Sequence, residues 1–268
     1  MKQLKSRSQD LRSLFENSIT IEYVAESLKA FPAQTLASDI LQWMQEQDFD
    51  VVGIESEGVI TGYVEKETLI EALNNSDLKS GKDYEKAFQP LDLIAVSTPL
   101  IKLLPLLQTK TRLFVLDCNS VTGIVTQGDL QKAPVRMLLF SLVTLLEMNL
   151  LRLIRSYYSP QTWQNILTPD RLEAAQKLFQ DSRDRNEATD LLDYLQFCDK
   201  RDLVLCHPEL LSQLGLKSKR AGERFLKSAE QLRNRLAHAQ DLVSGSSWSE
   251  LITLAAGIEN LLIQCEKF

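Results

Sequence analysis

Val121-Thr122-Gly123-Ile124-Val125-Thr126-Gln127-Gly128-Asp129-Leu130 decides the fold, because Ile60 to Leu69 matches it position for position, with Gly62 standing 61 residues before Gly123. Working outward, Ser97 to Leu107 reads as a helix with Thr98 as N-cap and Pro99 at its first position. Leu113 to Leu116 then reads as a strand and Asp117 to Ser120 as a turn. The earlier copy has the same order. Leu36, Ile40, Leu41, Trp43 and Met44 recur at helical spacing, Phe49 to Ile54 changes to strand composition, and Glu55 to Gly58 turns the chain. Val59 to Val64 is a second strand leading into a helix start at Glu65 to Leu69. The first half is therefore a duplicated unit, joined through a polar, turn-rich stretch over 74–87. Pro105 should kink or end the helix that contains it. Leu11, Leu14 and Phe15 predict a short helix, and Ile19 to Val24 a strand.

The chain has 268 residues, a formal net charge of −6 and 44% apolar residues, the composition of a globular protein with a real core. That length predicts two domains. Cys118, Cys198, Cys206 and Cys265 show no repeating spacing, which fits a reducing compartment, and the polar N-terminus carries no secretory h-region. The expected location is cytoplasmic. The most apolar run, Met137 to Leu146, is too short for a bilayer and continues into Glu147, Asn149, Arg152 and Arg155, so a buried helix and no membrane partner are expected. Residues 1–133 carry 13 basic and 19 acidic side chains, whereas residues 134–268 carry 17 of each. Within the second half, Lys217 to His238 holds seven basic residues against Glu223 and Glu230. This is either a solvated helix face or an anion-binding surface for RNA or phosphate.

The duplicated unit, over residues 15–132 with copies at about 19–73 and 88–132, resembles a tandem pair of CBS (cystathionine-beta-synthase) domains, a Bateman module. The resemblance rests on the second copy's glycine, two apolar residues, Thr126, two further residues and Asp129. It implies that Thr126 and Asp129 contact the phosphate and ribose of a regulatory adenine nucleotide, AMP, ADP or ATP. A carboxylate can accept both ribose hydroxyls, and a threonine at a helix entrance helps hold a phosphate. The first copy departs from the pattern, with Glu65 matching Thr126 and Thr68 matching Asp129. An acid there repels phosphate, so at most one nucleotide cleft is expected. The alternative is that Asp129 only caps the following turn and the module is a ligand-free dimerisation platform.

The second half, residues 134–268, reads as all helix, giving an α+β fold class: an α/β CBS pair followed by an all-α bundle. From Pro134 an apolar face runs through Leu138, Leu142, Leu146, Leu150 and Tyr157 over about 23 residues. A second stripe, Met137, Phe140, Thr144, Met148 and Leu151, predicts cover from two directions, one of them another subunit. Further helices are expected over 168–179, 187–197, 208–214 with Gly215 as stop, 217–238 and 248–265.

Arg233-Asn234-Arg235-Leu236-Ala237-His238 resembles the motif of the HEPN (higher eukaryotes and prokaryotes nucleotide-binding) family, dimeric helical bundles whose active members are metal-independent ribonucleases. The resemblance implies catalytic roles for Arg233, Asn234 and His238. RNA cleavage through its own 2′-hydroxyl, leaving a 2′,3′-cyclic phosphate, needs an acid or base titrating near neutrality and a fixed cation; histidine and arginine supply these. Arg233 and His238 lie roughly 140° apart on a straight helix, so two copies across a dimer axis are required, whereas Asn234 and His238 share a face. The alternative for His238 is a helix-terminal histidine stabilised by the dipole. Glu147 and Asp199 read as solvated or arginine-bonded acids. Cys198, Cys206 and His207 fit no zinc spacing, so no metal is expected. A Cys206 nucleophile beside His207 fails because sequence neighbours point apart, and no glycine-rich phosphate loop occurs. The expected protein is a bacterial homodimer in which an adenine-nucleotide-binding CBS pair controls a HEPN-type ribonuclease or RNA-binding domain. The alternative is a non-catalytic nucleotide-binding module acting through protein partners.

Overall fold

The computed structural model of the chain describes residues 8–74, 79–159, 161–183 and 190–268. Residues 75–78 of the joining stretch, the start of the helix expected from Glu187 and the N-terminus up to Arg7 lie outside the described residues. One compact unit is Phe15–Pro134; the other is Val135–Phe268 with the N-terminal residues up to Leu14. The first is mixed α and β, the second helical.

The duplication appears as two four-stranded sheets. In the first copy β3 (Val51–Ser56) and β4 (Val59–Glu65) form an antiparallel pair, and in the second β7 (Arg112–Asp117) and β8 (Ser120–Thr126) repeat it 61 residues later, bulge included. Both hairpins turn through two residues with positive φ, Glu57 and Gly58 in one, Cys118 and Asn119 in the other, the twist that suits a tight hairpin. The sheet orders are β2-β3-β4-β5 and β1-β8-β7-β6, where β1 is Glu26–Ser27, β2 Ala30–Pro32, β5 Lys86–Ala87 and β6 Leu93–Ala95. The short strand preceding each copy thus pairs with the other copy: β1 with β8, β5 with β4. This exchange explains the repeat's glycines. A Cβ on Gly123 would stand 2.8 Å from the Glu26 carbonyl oxygen, and one on Gly62 would stand 2.6 Å from that of Lys86. Only a residue without Cβ lets the exchanged strand reach its partner.

Each copy packs a helical layer on its sheet. α2 (Ala37–Gln47) and α3 (Lys66–Asn74) bury Ile40, Leu41, Met44 and Leu69 against Val52, Ile54 and Val64. Leu28, Val51, Tyr63, Phe114 and Val121 form a separate cluster where the copies meet.

Several expectations need correction here. Ile19 to Val24 is not a strand; Ile21–Tyr23 is a single 3-10 turn. Ser97 to Leu107 is not one helix begun by Pro99. Pro99 is extended (ψ 135°), a 3-10 turn covers Leu100–Lys102, and α4 is Leu103–Thr109. Pro105 therefore neither kinks nor ends it. As the third helical residue its missing N–H is one that no helical carbonyl would have received. The joining stretch is more than a linker, since Gly81–Tyr84 forms a 3-10 turn with a Ser80–Asp83 capping box, and β5 follows.

In the second unit α5 (Ala133–Tyr157, 25 residues) is the central element, with 11 buried residues. Its length exceeds the run read from sequence, and by length and composition it is able to cross a membrane, with a mean hydropathy of 1.8. Its polar residues, however, bind within the helical unit. Arg152 donates to Asn149 Oδ1 (3.1 Å) and to the Cys265 carbonyl (2.6 Å), Glu147 pairs with Lys200 (2.7 Å), and Arg155 reaches Asp193 (2.5 Å). The predicted second stripe is only partly covered: Met137, Phe140 and Met148 are exposed. α6 is Pro169–Arg183, α8 Pro208–Gln213, α9 Lys219–Ala237 and α10 Trp248–Cys265. Where a helix was expected to end at Phe197, α7 (Phe197–Cys206) instead begins, after a 3-10 turn at Leu191–Tyr194.

Candidate functional site

The repeat motif sits at the C-terminal end of β8. Thr126, the last strand residue, donates its backbone N–H (2.6 Å) and its hydroxyl (3.0 Å) to Asp129 Oδ2, a capping box over the 3-10 turn Gln127–Gln131. Asp129 Oδ1 faces the Lys132 ammonium at 2.8 Å, and Asp129 is buried. Lys132 also reaches the Val24 carbonyl (2.6 Å) and Glu26. Although burial works against its charge, Asp129 and Glu26 hold its pKa above the ordinary lysine value. Thr126 and Asp129 are thus together, and Asp129 performs the capping role weighed as its alternative. A carboxylate oxygen has two lone pairs, so Oδ1 retains capacity for a ribose hydroxyl beside Lys132.

The first copy places Glu65 at the end of β4. Its carboxylate is bridged by two cations, Arg112 on Oε1 and Lys86 on Oε2. Arg112 opens β7, directly across the ladder from Thr126, and its guanidinium lies 5.7 Å from the Tyr63 ring centroid. Tyr63 in turn packs on Phe114 and Phe88, with centroids 4.6 and 5.6 Å away. Sequence reasoning missed Arg112, Lys86 and Tyr63. A signal existed for Arg112, whose counterpart 61 residues earlier is Val51: a cation where the repeat predicts an apolar strand residue.

In the helical unit, Arg233 donates to the Asn234 side chain (3.2 Å), and His238 is the C-cap residue of α9, exposed, with no partner for its imidazole among the described residues. Arg235 is structural. It donates to the Leu242 (2.9 Å) and Ser244 (2.6 Å) carbonyls, while Arg136 donates to those of Arg235 and Gln240, tying down the turn after α9. Glu147 and Asp199 are also structural acids. Glu147 pairs with Lys200, and Asp199 caps α7 through the Gln196 N–H (2.9 Å) and faces Arg171 (2.9 Å).

Arg220, Arg224, Lys227, Gln231, Asn234 and His238 are all exposed, and their alternating steps of four and three place them along one face of α9. Glu230, which halves the acidic count of this helix, is taken up by Arg201 at 2.7 Å. The exposed face is thereby more positive than the composition suggests, with Lys217 and Lys219 extending it. The run from Arg220 to His238 is about 27 Å long at the helical rise.

Cys198 is buried, with Arg171 Nη2 2.6 Å from its sulfur, and burial raises its thiol pKa. Cys206 is exposed, and His207 packs edge-on to the Tyr157 and Tyr158 rings. No group of three metal-ligating side chains is found among the described residues.

No family model matches the sequence, and neither does any curated protein. Solved structures similar to it are CBS-domain proteins. A conserved CBS-domain protein of unknown function from Thermoplasma acidophilum is 18% identical, covering 43% of this chain and 68% of its own, with a TM-score of 0.36. The CBS domain of a bacterial CNNM/CorC family Mg2+ transporter in complex with ATP is 16% identical, covering 45% and 89%, with a TM-score of 0.37. CBSX2 in complex with AMP is 18% identical, covering 45% and 98%, with a TM-score of 0.38.

Proposed function

We propose that the chain is a nucleotide-sensing regulatory protein. Its duplicated unit is a CBS pair that takes one adenine nucleotide at the end of β8, and its helical unit binds single-stranded RNA along α9. The observation that carries the first part is the reciprocal exchange of β1 and β5, which brings the Thr126–Asp129 turn and Arg112 to one sheet end. Adenine as the base follows the sequence resemblance of β8 and its turn, and AMP, ADP and ATP are the panel to test. Isothermal titration should give one site per chain. Two equivalent sites, or none with all three nucleotides, would refute it.

The RNA reading is carried by the exposed cationic face of α9, freed of Glu230 by Arg201. Arg224→Glu with Lys227→Glu should weaken binding of a labelled single-stranded RNA and lower the salt slope by about 0.7 for each phosphate the variant no longer neutralises. Nucleotide should shift the RNA affinity by about 5- to 150-fold if the units are coupled. Unchanged RNA affinity in the double variant would remove α9 from the account.

Metal-independent cleavage by Arg233, Asn234 and His238 is the finer form of this reading, and it requires a homodimer that brings two copies of the motif together. The exposed His238 imidazole is the observation in its favour. Product analysis with His238→Ala, in chelator, tests it alongside the dimer's mass by light scattering. A monomer at micromolar concentration removes the cleavage mechanism and leaves the binding one.

A further inference from the structure

The carboxylate of Glu65 is gripped by two cations from opposite sides, the Arg112 guanidinium on Oε1 and the Lys86 ammonium on Oε2. Two positive charges meet one negative charge, so the cluster keeps a net charge of about +1 even when paired. Neither cation has an easy alternative. Arg112 is packed against the Tyr63 ring, which its Phe114 and Phe88 neighbours hold in place, so the guanidinium keeps its direction with or without a partner. The nearby Glu85 carboxylate is already taken by Lys82 and by the Thr61 hydroxyl. All three members of the cluster are part-exposed, with side-chain exposures of 24% for Glu65, 27% for Arg112 and 43% for Lys86, so solvent and a ligand can reach it. Arg112 also stands across the β7–β8 ladder from Thr126.

A planar anion whose oxygens are divided between a guanidinium and an ammonium is the arrangement a phosphate would take on the same two cations. We propose that Arg112 and Lys86 form a phosphate-binding site which Glu65 occupies as an internal anion, so that a phosphorylated ligand binds by displacing the Glu65 carboxylate. The reading rests on the nucleotide site at the end of β8 for the ligand's identity, but not for the anion chemistry. The site's ligand class is a polyanion, because a phosphate chain carrying more charge than one carboxylate gains more from the pair than Glu65 does. Nucleoside alone gains nothing from it. Glu65 thereby sets a threshold: it keeps the site shut to weak anions and yields to multiply charged ones.

The probe is inorganic tripolyphosphate, titrated calorimetrically into the full chain and into Glu65→Gln, which keeps the side chain's size while removing its charge. Circular dichroism and melting curves establish that each variant is folded. Glu65→Gln should bind tripolyphosphate about tenfold more tightly than the wild type, and the gain should disappear in Glu65→Gln with Arg112→Gln. Equal or weaker binding by Glu65→Gln overturns the proposal, as does a gain that persists when Arg112 is removed, since the cations would then not be the site. ATP and adenosine titrated in parallel separate this outcome from the nucleotide reading. Tripolyphosphate binding with the expected gain, but no preference for ATP over it, refutes the nucleotide while the internal anion stands. ATP binding of the same strength in wild type and Glu65→Gln keeps the nucleotide and refutes the internal anion.

Discussion

Asp129→Ala separates the two roles that one carboxylate has in this fold, and the size of its effect follows from the bonds around it. Oδ2 accepts both the backbone N–H and the hydroxyl of Thr126, Oδ1 faces Lys132, and the residue is 8% exposed. Replacing a capping Asp by Ala costs about 0.5–2 kcal/mol, and burial of the abandoned N–H places this position at the upper end. The Lys132 pairing adds little, because that ammonium keeps Glu26 and the Val24 carbonyl. A loss of about 2 kcal/mol lowers the melting temperature by about 4 to 8 °C, the smaller figure applying if the whole chain unfolds as one. Differential scanning calorimetry without ligand measures it. Asp129→Asn, which retains an acceptor for the cap, should recover at least half of the loss. If Asp129→Ala melts with the wild type, the carboxylate is not holding the turn and the capping account is wrong. If the variant is destabilised as stated yet binds nucleotide with unchanged affinity, Asp129 is a cap alone and the ribose is held elsewhere.

Two further outcomes follow from the helical unit. Glu147→Leu strands the Lys200 ammonium, which is only 5% exposed, and should cost about 3–5 kcal/mol in urea unfolding; adding Lys200→Met should restore most of it. No recovery in the double variant would mean that the pair contributes more than mutual charge cancellation. Burial raises the Tyr158 phenol from its ordinary 10 to about 12, and raises the Cys265 thiol from 9 to about 12. Between the ordinary and raised values the unfolded chain releases protons that the native chain keeps, so stability falls as pH rises from about 9 to 12 and is fully present below. Urea melts at pH 8 and pH 10.5 should show that fall, reduced in Tyr158→Phe with Cys265→Ala; a flat wild-type profile contradicts it.

The repeat was legible because it rests on local pattern. Strand composition, a two-residue turn and a glycine recur at 61 residues, and the four long strands appear where that period puts them. The exchange was not legible. β1 carries Glu26 and Ser27 and β5 carries Lys86 and Ala87, two-residue strands whose polar side chains give no alternation. They are strands only because Gly123 and Gly62 leave room for them on the other copy. Pro105 misled for a related reason: a proline's cost depends on its distance from the helix start, and the two prolines in Ser97 to Leu107 made that start ambiguous.

Charge was the property read least well, and for one physical reason. Counted along the chain, Asp199-Lys200-Arg201-Asp202 looks like a solvated stretch, and α7 was missed because of it. In the fold Asp199 meets Arg171, Lys200 meets Glu147, Arg201 meets Glu230 and Asp202 meets Arg171. Those pairs span up to 53 residues of sequence, and no local window contains them. The same pairing sets the character of both candidate surfaces. Arg201 removes Glu230 from the account of α9 and leaves its exposed face cationic. Arg112, 47 residues from Glu65, turns an acid that in isolation would only repel phosphate into the occupant of a cationic site. A net charge read from sequence therefore fixes the sum for each unit but not which charges remain available to a ligand; in this chain the partners of Glu65 and Glu230 decide that.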